Sequence, residues 1–142
     1  MKISTRGRYA LRFLVDLVQR NSNSFIPLKD ISKRQGISIK YLEQIASMLS
    51  KSGILLSVRG PQGGYKLALP PSEYTVASVL RITEGNLAPV ACLETEENLC
   101  PRKDICSTLK LWEGLEKVIY DYLEGITLEQ LAGTDTYPDY VI

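Results

Sequence analysis

The sequence predicts a mainly α fold: a winged helix-turn-helix followed by a long C-terminal dimerisation helix. Three observations carry this. Two short amphipathic stretches meet at Gly36, two short apolar strands joined by RGPQGG follow them, and a helical run extends from Ser107 to about Glu124. With 142 residues, 44% of them hydrophobic, the chain can bury a core as one domain or as a small domain with an appendage. The expected division is a winged unit over 1–84, a cysteine-bearing loop over 85–106, a dimerisation helix and a short C-terminal helix over 107–133, and a loosely ordered tail over 134–142.

From Tyr9 to Val18 apolar residues fall on nearly every side of a helical wheel, so this helix should be buried on several faces. NSNS at 21–24 is turn chemistry that stops it. Pro27 suits a helix start, Gly36 supplies the left-handed residue that ends that helix, and Ser38 is placed to cap the next. Ile37 and Leu42 occupy the positions of a hydrophobic staple across that cap. On the second helix Leu42, Ile45, Ala46 and Leu49 form one apolar stripe, opposite Lys40, Tyr41, Glu43, Gln44 and Ser47. Strands are expected at 54–58 and 65–69. After the Pro70–Pro71 pair, Thr75 caps a short helix to about Ile82.

In the last long helix Trp112, Leu115, Ile119 and Tyr122 step by helical spacing, and Leu111 and Val118 add a second stripe. One helix then has two faces to bury, which a two-fold homodimer accomplishes most simply, with Trp112, Leu115, Ile119 and Tyr122 as the expected interface. The alternative is that both stripes face the chain's own core. TLEQ at 127–130 is a capping box that opens one more short helix.

Charge divides the chain. Residues 1–70 hold 12 Lys and Arg against 3 Asp and Glu, a net of +9, whereas residues 71–142 hold 5 against 13, a net of −8. A basic half suits a polyanion, with salt-dependent affinity from released counterions, although a merely solvated face has the same composition. The helix-turn-helix and hairpin decide for double-stranded DNA, because the major groove accepts one α-helix whose first turns approach the base edges. Lys40 can reach phosphate or guanine, Tyr41 can pack on a thymine methyl or bond phosphate, and Gln44 can bond adenine. Glu43 meets phosphate repulsion and accepts only from cytosine N4, so it serves to exclude wrong sequences. In RGPQGGY, Gly60, Gly63 and Gly64 let backbone approach the duplex, and Pro61 stiffens the loop so that Arg59 enters the minor groove. Lys2, Arg6 and Arg8 would add phosphate contacts. Two copies related by a dyad call for an inverted-repeat promoter site.

All three cysteines lie in CLETEENLCPRKDIC, spaced C-x7-C-x5-C, in a chain without histidine. No apolar stretch is long enough to span a bilayer, and the N-terminus lacks the pattern of a secretory signal, so a cytoplasmic chain with reduced thiols is expected. The gaps are wider than zinc knuckles and a fourth ligand is missing, which favours an iron-sulfur cluster. Zinc, thiol redox switching and no special chemistry stay open. A cluster carrier without DNA binding is the alternative from another class, and no catalytic dyad suggests an enzyme.

MKISTRGRYALR, ISKRQGISIKYLEQI, SVRGPQGGYKLA and the three-cysteine loop before a long helix together resemble the IscR-type family of bacterial iron-sulfur cluster regulators. The resemblance extends to about Leu131, and GIS-x-x-YLEQ with VRGP-x-GGY is its most specific part. It implies homodimeric winged-helix transcription factors, often repressors, that respond to a 2Fe-2S cluster. A nitric-oxide-sensing branch has a similar loop, and a cysteine-metabolism branch lacks these thiols. By resemblance Cys92, Cys100 and Cys106 become cluster ligands, Ser38 to Gln44 the major-groove reader, and Arg59, Gly60 and Pro61 the wing contact. Glu43 matches a position implied to discriminate between operator classes. The resemblance implies a histidine three residues after the last cysteine to complete the site, and here that position is Leu109. The nitric-oxide branch uses an aspartate where this chain has Arg8. The fourth ligand is therefore open among Glu94, Glu96, Glu97, Asp104, Ser107, Thr108 and an external donor, and 2Fe-2S is favoured over 4Fe-4S.

Overall fold

A computed structural model describes residues 1–20 and 23–133. Part of the expected NSNS turn and the whole 134–142 tail lie outside the described residues. Helix α1 (Thr5–Arg20) is the hub. Ser4 opens it, its hydroxyl accepting the Gly7 N–H at 3.1 Å, which starts the helix a turn earlier than its apolar pattern does. Ala10, Phe13, Leu14 and Leu17 are buried, and α1 packs against α2 (Leu28–Gln35), α3 (Ile39–Lys51), α4 (Val76–Glu84) and α6 (Leu128–Gly133), as an all-round apolar helix should.

Gly36 ends α2 in the left-handed region (φ 65°, ψ 34°), with its N–H bonded to Ser32 O at 2.9 Å. Only glycine adopts this conformation without steric cost, so the sharp joint is local in origin. Ser38 then caps α3, its Oγ accepting the Tyr41 N–H at 3.2 Å, and Ile37 and Leu42 are both buried across the cap. The apolar stripe of α3 lies wholly in the core with Phe13, Leu14, Ile31, Val79 and Leu128.

Strands β1 (Leu55–Val58) and β2 (Gly64–Leu67) pair antiparallel in the register Leu55↔Leu67 to Val58↔Gly64. Ile26 adds a bridge on the far side of β2, exchanging two 2.9 Å hydrogen bonds with Tyr65. This pairing explains two glycines differently from the sequence reading. A Cβ on Gly64 would lie 2.3 Å from Ile26 O, and one on Gly63 would lie 2.3 Å from Val58 O. Both are required by close approach of backbone to backbone, and of these three glycines it is Gly60 (φ 106°) that faces open space.

Tyr74 fastens the wing to the rest of the chain: its buried hydroxyl accepts the Leu69 N–H at 3.1 Å and lies 3.4 Å from Ile54 O. Thr75 and Ser78 form a reciprocal capping box at the start of α4. Beyond a single turn at Ala91–Leu93, α5 (Leu109–Glu124) leads to α6, where Thr127 and Gln130 exchange the expected capping bonds. Fully buried Leu128 returns the chain to the α1 core, and Val76 N–H donates to Ile126 O at 2.8 Å.

No residue of α5 is fully buried. Ile119, Tyr120 and Leu123 pack on a second cluster built from Val76, Leu80, Leu87 and Ile126. On the other side Leu111 (61% exposed), Leu115 (40%), Val118 (64%) and Tyr122 (37%) form an apolar stripe stepping by 4, 3 and 4 residues. The two expected faces exist, but Ile119 belongs to the inward one while Leu115 and Tyr122 share the outward one with Leu111 and Val118. Trp112 is half-buried.

Candidate DNA-reading face and cysteine loop

The expected reading residues are available at the surface. Ser38, Lys40, Glu43, Gln44 and Ser47 are exposed on α3, and Arg59, Gly60 and Pro61 are exposed at the wing tip. Tyr41 is instead half-buried, its ring edge-on to Tyr9 at 5.7 Å between centroids, and Arg12 lies over the Tyr9 ring at 5.1 Å. This contact joins the head of α3 to α1, beside the exposed Lys2, Arg6 and Arg8.

Two anchoring contacts were not anticipated. Buried Asp16 receives a fork from Arg34 (Nη2–Oδ1 2.6 Å, Nε–Oδ2 3.0 Å) and a bond from Gln35 Nε2 at 3.0 Å. Burial pushes this carboxyl up, but the hydrogen bonds from Arg34 and Gln35 and the charge of Arg34 outweigh it and hold it below the ordinary 3.8. The signal was an acid inside LRFLVDLV, with a basic residue on the adjoining helix. The second contact is at Glu84, the last residue of α4, whose Oε1 accepts from Ser4 Oγ at 2.6 Å and whose Oε2 lies 3.4 Å from Ser4 N. Gly7 permits this packing, because a Cβ there would lie 2.2 Å from Glu84 Oε1.

The thiol loop begins just beyond Glu84. All three cysteines are free. Cys92 sits in the Ala91–Leu93 turn, and Cys100 N–H donates to Asn98 Oδ1 at 2.9 Å. Cys92 and Cys100 are half-buried and line an open surface pocket of about 420 Å³, as does the exposed Glu94. Cys106 lies outside it, exposed before α5, with Sγ 3.5 Å from Thr108 Oγ1. Hydrogen bonds from the Thr108 hydroxyl and backbone N–H hold this thiol below its ordinary value, helped by the Leu109 N–H and the charge of Arg102. Among the described residues no three His, Cys, Asp or Glu side chains are gathered closely enough to hold a metal ion. The donor set of soft thiolates with carboxylates and no histidine suits an iron-sulfur cluster, with two of the three thiols already on one cavity.

No helix among the described residues is long and apolar enough to cross a membrane. A family model described as "Iron-dependent Transcriptional regulator" matches residues 3–134. The chain is 40% identical over 131 residues to the HTH-type transcriptional regulator IscR of Aliivibrio salmonicida, spanning 92% of this chain and 77% of that protein. It is equally identical to protein rrf2 of Nitratidesulfovibrio vulgaris, over 92% of this chain and 87% of that one. Among solved structures, CymR, the global cysteine regulator of B. subtilis, superposes with a TM-score of 0.76 at 34% identity, covering 96% of this chain and 99% of that one. T. potens IscR superposes at 0.72 with 34% identity, covering 95% and 89%. The protein is therefore a member of the Rrf2 family of transcriptional regulators.

Proposed function

We propose that the protein is a homodimeric regulator, most simply a repressor, that binds inverted-repeat promoter DNA and responds to an iron-sulfur cluster held by Cys92, Cys100 and Cys106. Ser38, Lys40, Glu43 and Gln44 present donors and acceptors to the major groove, with Tyr41 braced by Tyr9. Arg59, with Gly60 and Pro61, reaches the adjacent minor groove, and Lys2, Arg6 and Arg8 bind phosphate. The outward α5 stripe joins two copies about a dyad. The cluster, in the 2Fe-2S form ahead of 4Fe-4S, supplies an occupancy that follows iron and oxidant supply in the cytoplasm.

One observation carries the link between loop and DNA. The only three thiols occupy the segment that starts after Glu84, and Glu84 is hydrogen-bonded to Ser4 at the head of the helix bearing Arg6 and Arg8. Ordering the loop thus acts on residues one hydrogen bond from the phosphate-binding arm. A sensor needs such differential contacts between its states.

Anaerobically loaded and stripped protein should differ in preference among promoters by about 5- to 150-fold, the usual range of coupling between sites. Cys92→Ala should abolish both the colour and the difference. Identical preferences in the two states would sink the sensing role. In a quantitative gel-shift series, Arg59→Ala should weaken operator binding by about 1–3 kcal/mol; unchanged affinity removes the wing from recognition. A nitric-oxide- or redox-sensing regulator of the same fold is a second reading, favoured by the exposed Cys106 and its stabilised thiolate. Oxidant treatment of cluster-free protein would then change DNA binding.

A further inference from the structure

Tyr9, Arg12 and Asp16 step by 3 and 4 residues, so they line one face of α1. That face runs along the helix-turn-helix. Asp16 accepts from Gln35 Nε2 at 3.0 Å, which turns Gln35 Oε1 towards Arg12. Arg12 Nε donates to that oxygen at 3.2 Å, and its Nη2 donates to the Gln35 backbone carbonyl. Gln35 is the last residue of α2, where carbonyls lack helical partners and the macrodipole favours a cation. The same guanidinium lies over the Tyr9 ring, 5.1 Å from its centroid, and Tyr9 meets Tyr41 edge-on at an interplanar angle of 88°. One α1 side chain therefore touches the exit of α2 directly and the first turn of α3 through a single ring. Between those two helices lie Gly36, Ile37 and Ser38.

We propose that Arg12 is a positioning residue for DNA reading: it fixes the head of α3 against α1 and so sets sequence discrimination without touching a base. The assignment rests on the DNA-reading role proposed above. Ser38, Lys40, Glu43 and Gln44 are exposed around the same turn whose Tyr41 ring meets Tyr9. Base contacts need their side chains held within about 0.5 Å of the productive geometry. Phosphate contacts are more forgiving, since a cation attracts the backbone at any sequence. Releasing Gln35 and Tyr41 should therefore lower the ratio of specific to non-specific binding rather than binding as a whole. Lysine would not substitute, because an ammonium lacks the planar fork that bonds Gln35 at two atoms while lying over a ring. The competing role is a phosphate contact, since Arg12 is exposed and follows Arg8 by four residues. The two roles leave different signatures.

The test uses the full chain in a single anaerobic preparation, a duplex that the wild type selects from a randomised pool, and the same duplex scrambled. Arg12→Met keeps an aliphatic stem and removes the fork. Its affinity ratio between the two duplexes should fall about tenfold or more, the order carried by one base contact, while the salt dependence on the scrambled duplex keeps the wild-type slope. Arg12→Lys should show the same fall. Tyr9→Leu should reproduce part of it, and adding Tyr9→Leu to Arg12→Met should lower the ratio no further, as expected of residues acting in one chain of contacts. A uniform loss on both duplexes, with the salt slope reduced by about one per copy and recovered in Arg12→Lys, makes Arg12 a phosphate contact and overturns the assignment. An unchanged ratio in Arg12→Met overturns it too, as does a fall that comes with a collapse of the melting temperature, which an exposed side chain should not cause. A wild type that selects no duplex from the pool overturns the DNA-reading role and the assignment with it.

Discussion

Replacing Arg34 by Met should cost about 3 kcal/mol of stability, a large share of the 5–15 kcal/mol that holds a domain of this size together. Asp16 is 1% exposed on the hub helix, and among the described residues Arg34 is the cation that forms an ion pair with it. Without the guanidinium the carboxylate keeps one bond from Gln35 and most of its desolvation cost. The lower end of the range for a broken buried pair applies, because the Arg34 side chain is 30% exposed and water can enter where it was. The double variant Asp16→Leu/Arg34→Met should recover most of the loss, since neither charge is then buried alone. Urea midpoints for the four proteins at neutral pH measure the coupling. Losses that simply add would show that the pair does not act as one unit.

The same pair sets an acid limit. Asp16 titrates lower folded than unfolded, so its stabilisation is complete above the unfolded carboxyl value of about 3.9 and is lost as pH falls through the lower folded value. In Arg34→Met burial is left largely unopposed and the carboxyl rises. The variant should therefore regain part of its deficit on acidification through that raised value, the reverse of the wild type. Parallel pH profiles would contradict the assignment of the pair as the cause.

Local chemistry made much of this fold legible. Gly36, Ser38, Thr75 and Thr127 each act through neighbours within a few residues, so the turn and the caps could be placed from sequence, and the winged helix and family membership are borne out. Long-range contacts were not legible. Nothing local says that Glu84 reaches Ser4, or that Gly64 must admit the carbonyl of Ile26. The loop over 85–106 has no periodicity to read, and its cysteine spacing does not reveal that Cys92 and Cys100 border one cavity while Cys106 stands outside it. Helical spacing likewise finds both stripes of α5 without saying which one its own core claims, and that is how Ile119 came to be grouped with outward residues.

That division of α5 leads to the second large effect. If the outward stripe joins two copies as proposed, Leu115→Glu with Val118→Glu should convert the dimer into a monomer while leaving the monomer's own melting behaviour nearly unchanged. Both side chains lie on the outward stripe, and neither belongs to the second cluster, which takes Ile119, Tyr120 and Leu123. Burying one such side chain contributes about 1.5–3 kcal/mol, and a two-fold axis counts each position twice, so a single position represents about 3–6 kcal/mol. At 1.4 kcal/mol per decade this weakens the dimer by more than a hundredfold before the cost of the introduced charges is added. Sedimentation equilibrium over a concentration series measures the change. Operator affinity should fall with it, because a single α3 reads only half of an inverted repeat. A variant that stays dimeric would move the interface elsewhere, whereas a monomer that still holds the full operator tightly would separate DNA reading from the dyad. The mirror substitution Ile119→Glu provides the contrast: placed on the inward face, it should lower the melting temperature first, because it buries a charge beside Leu80 and Leu87.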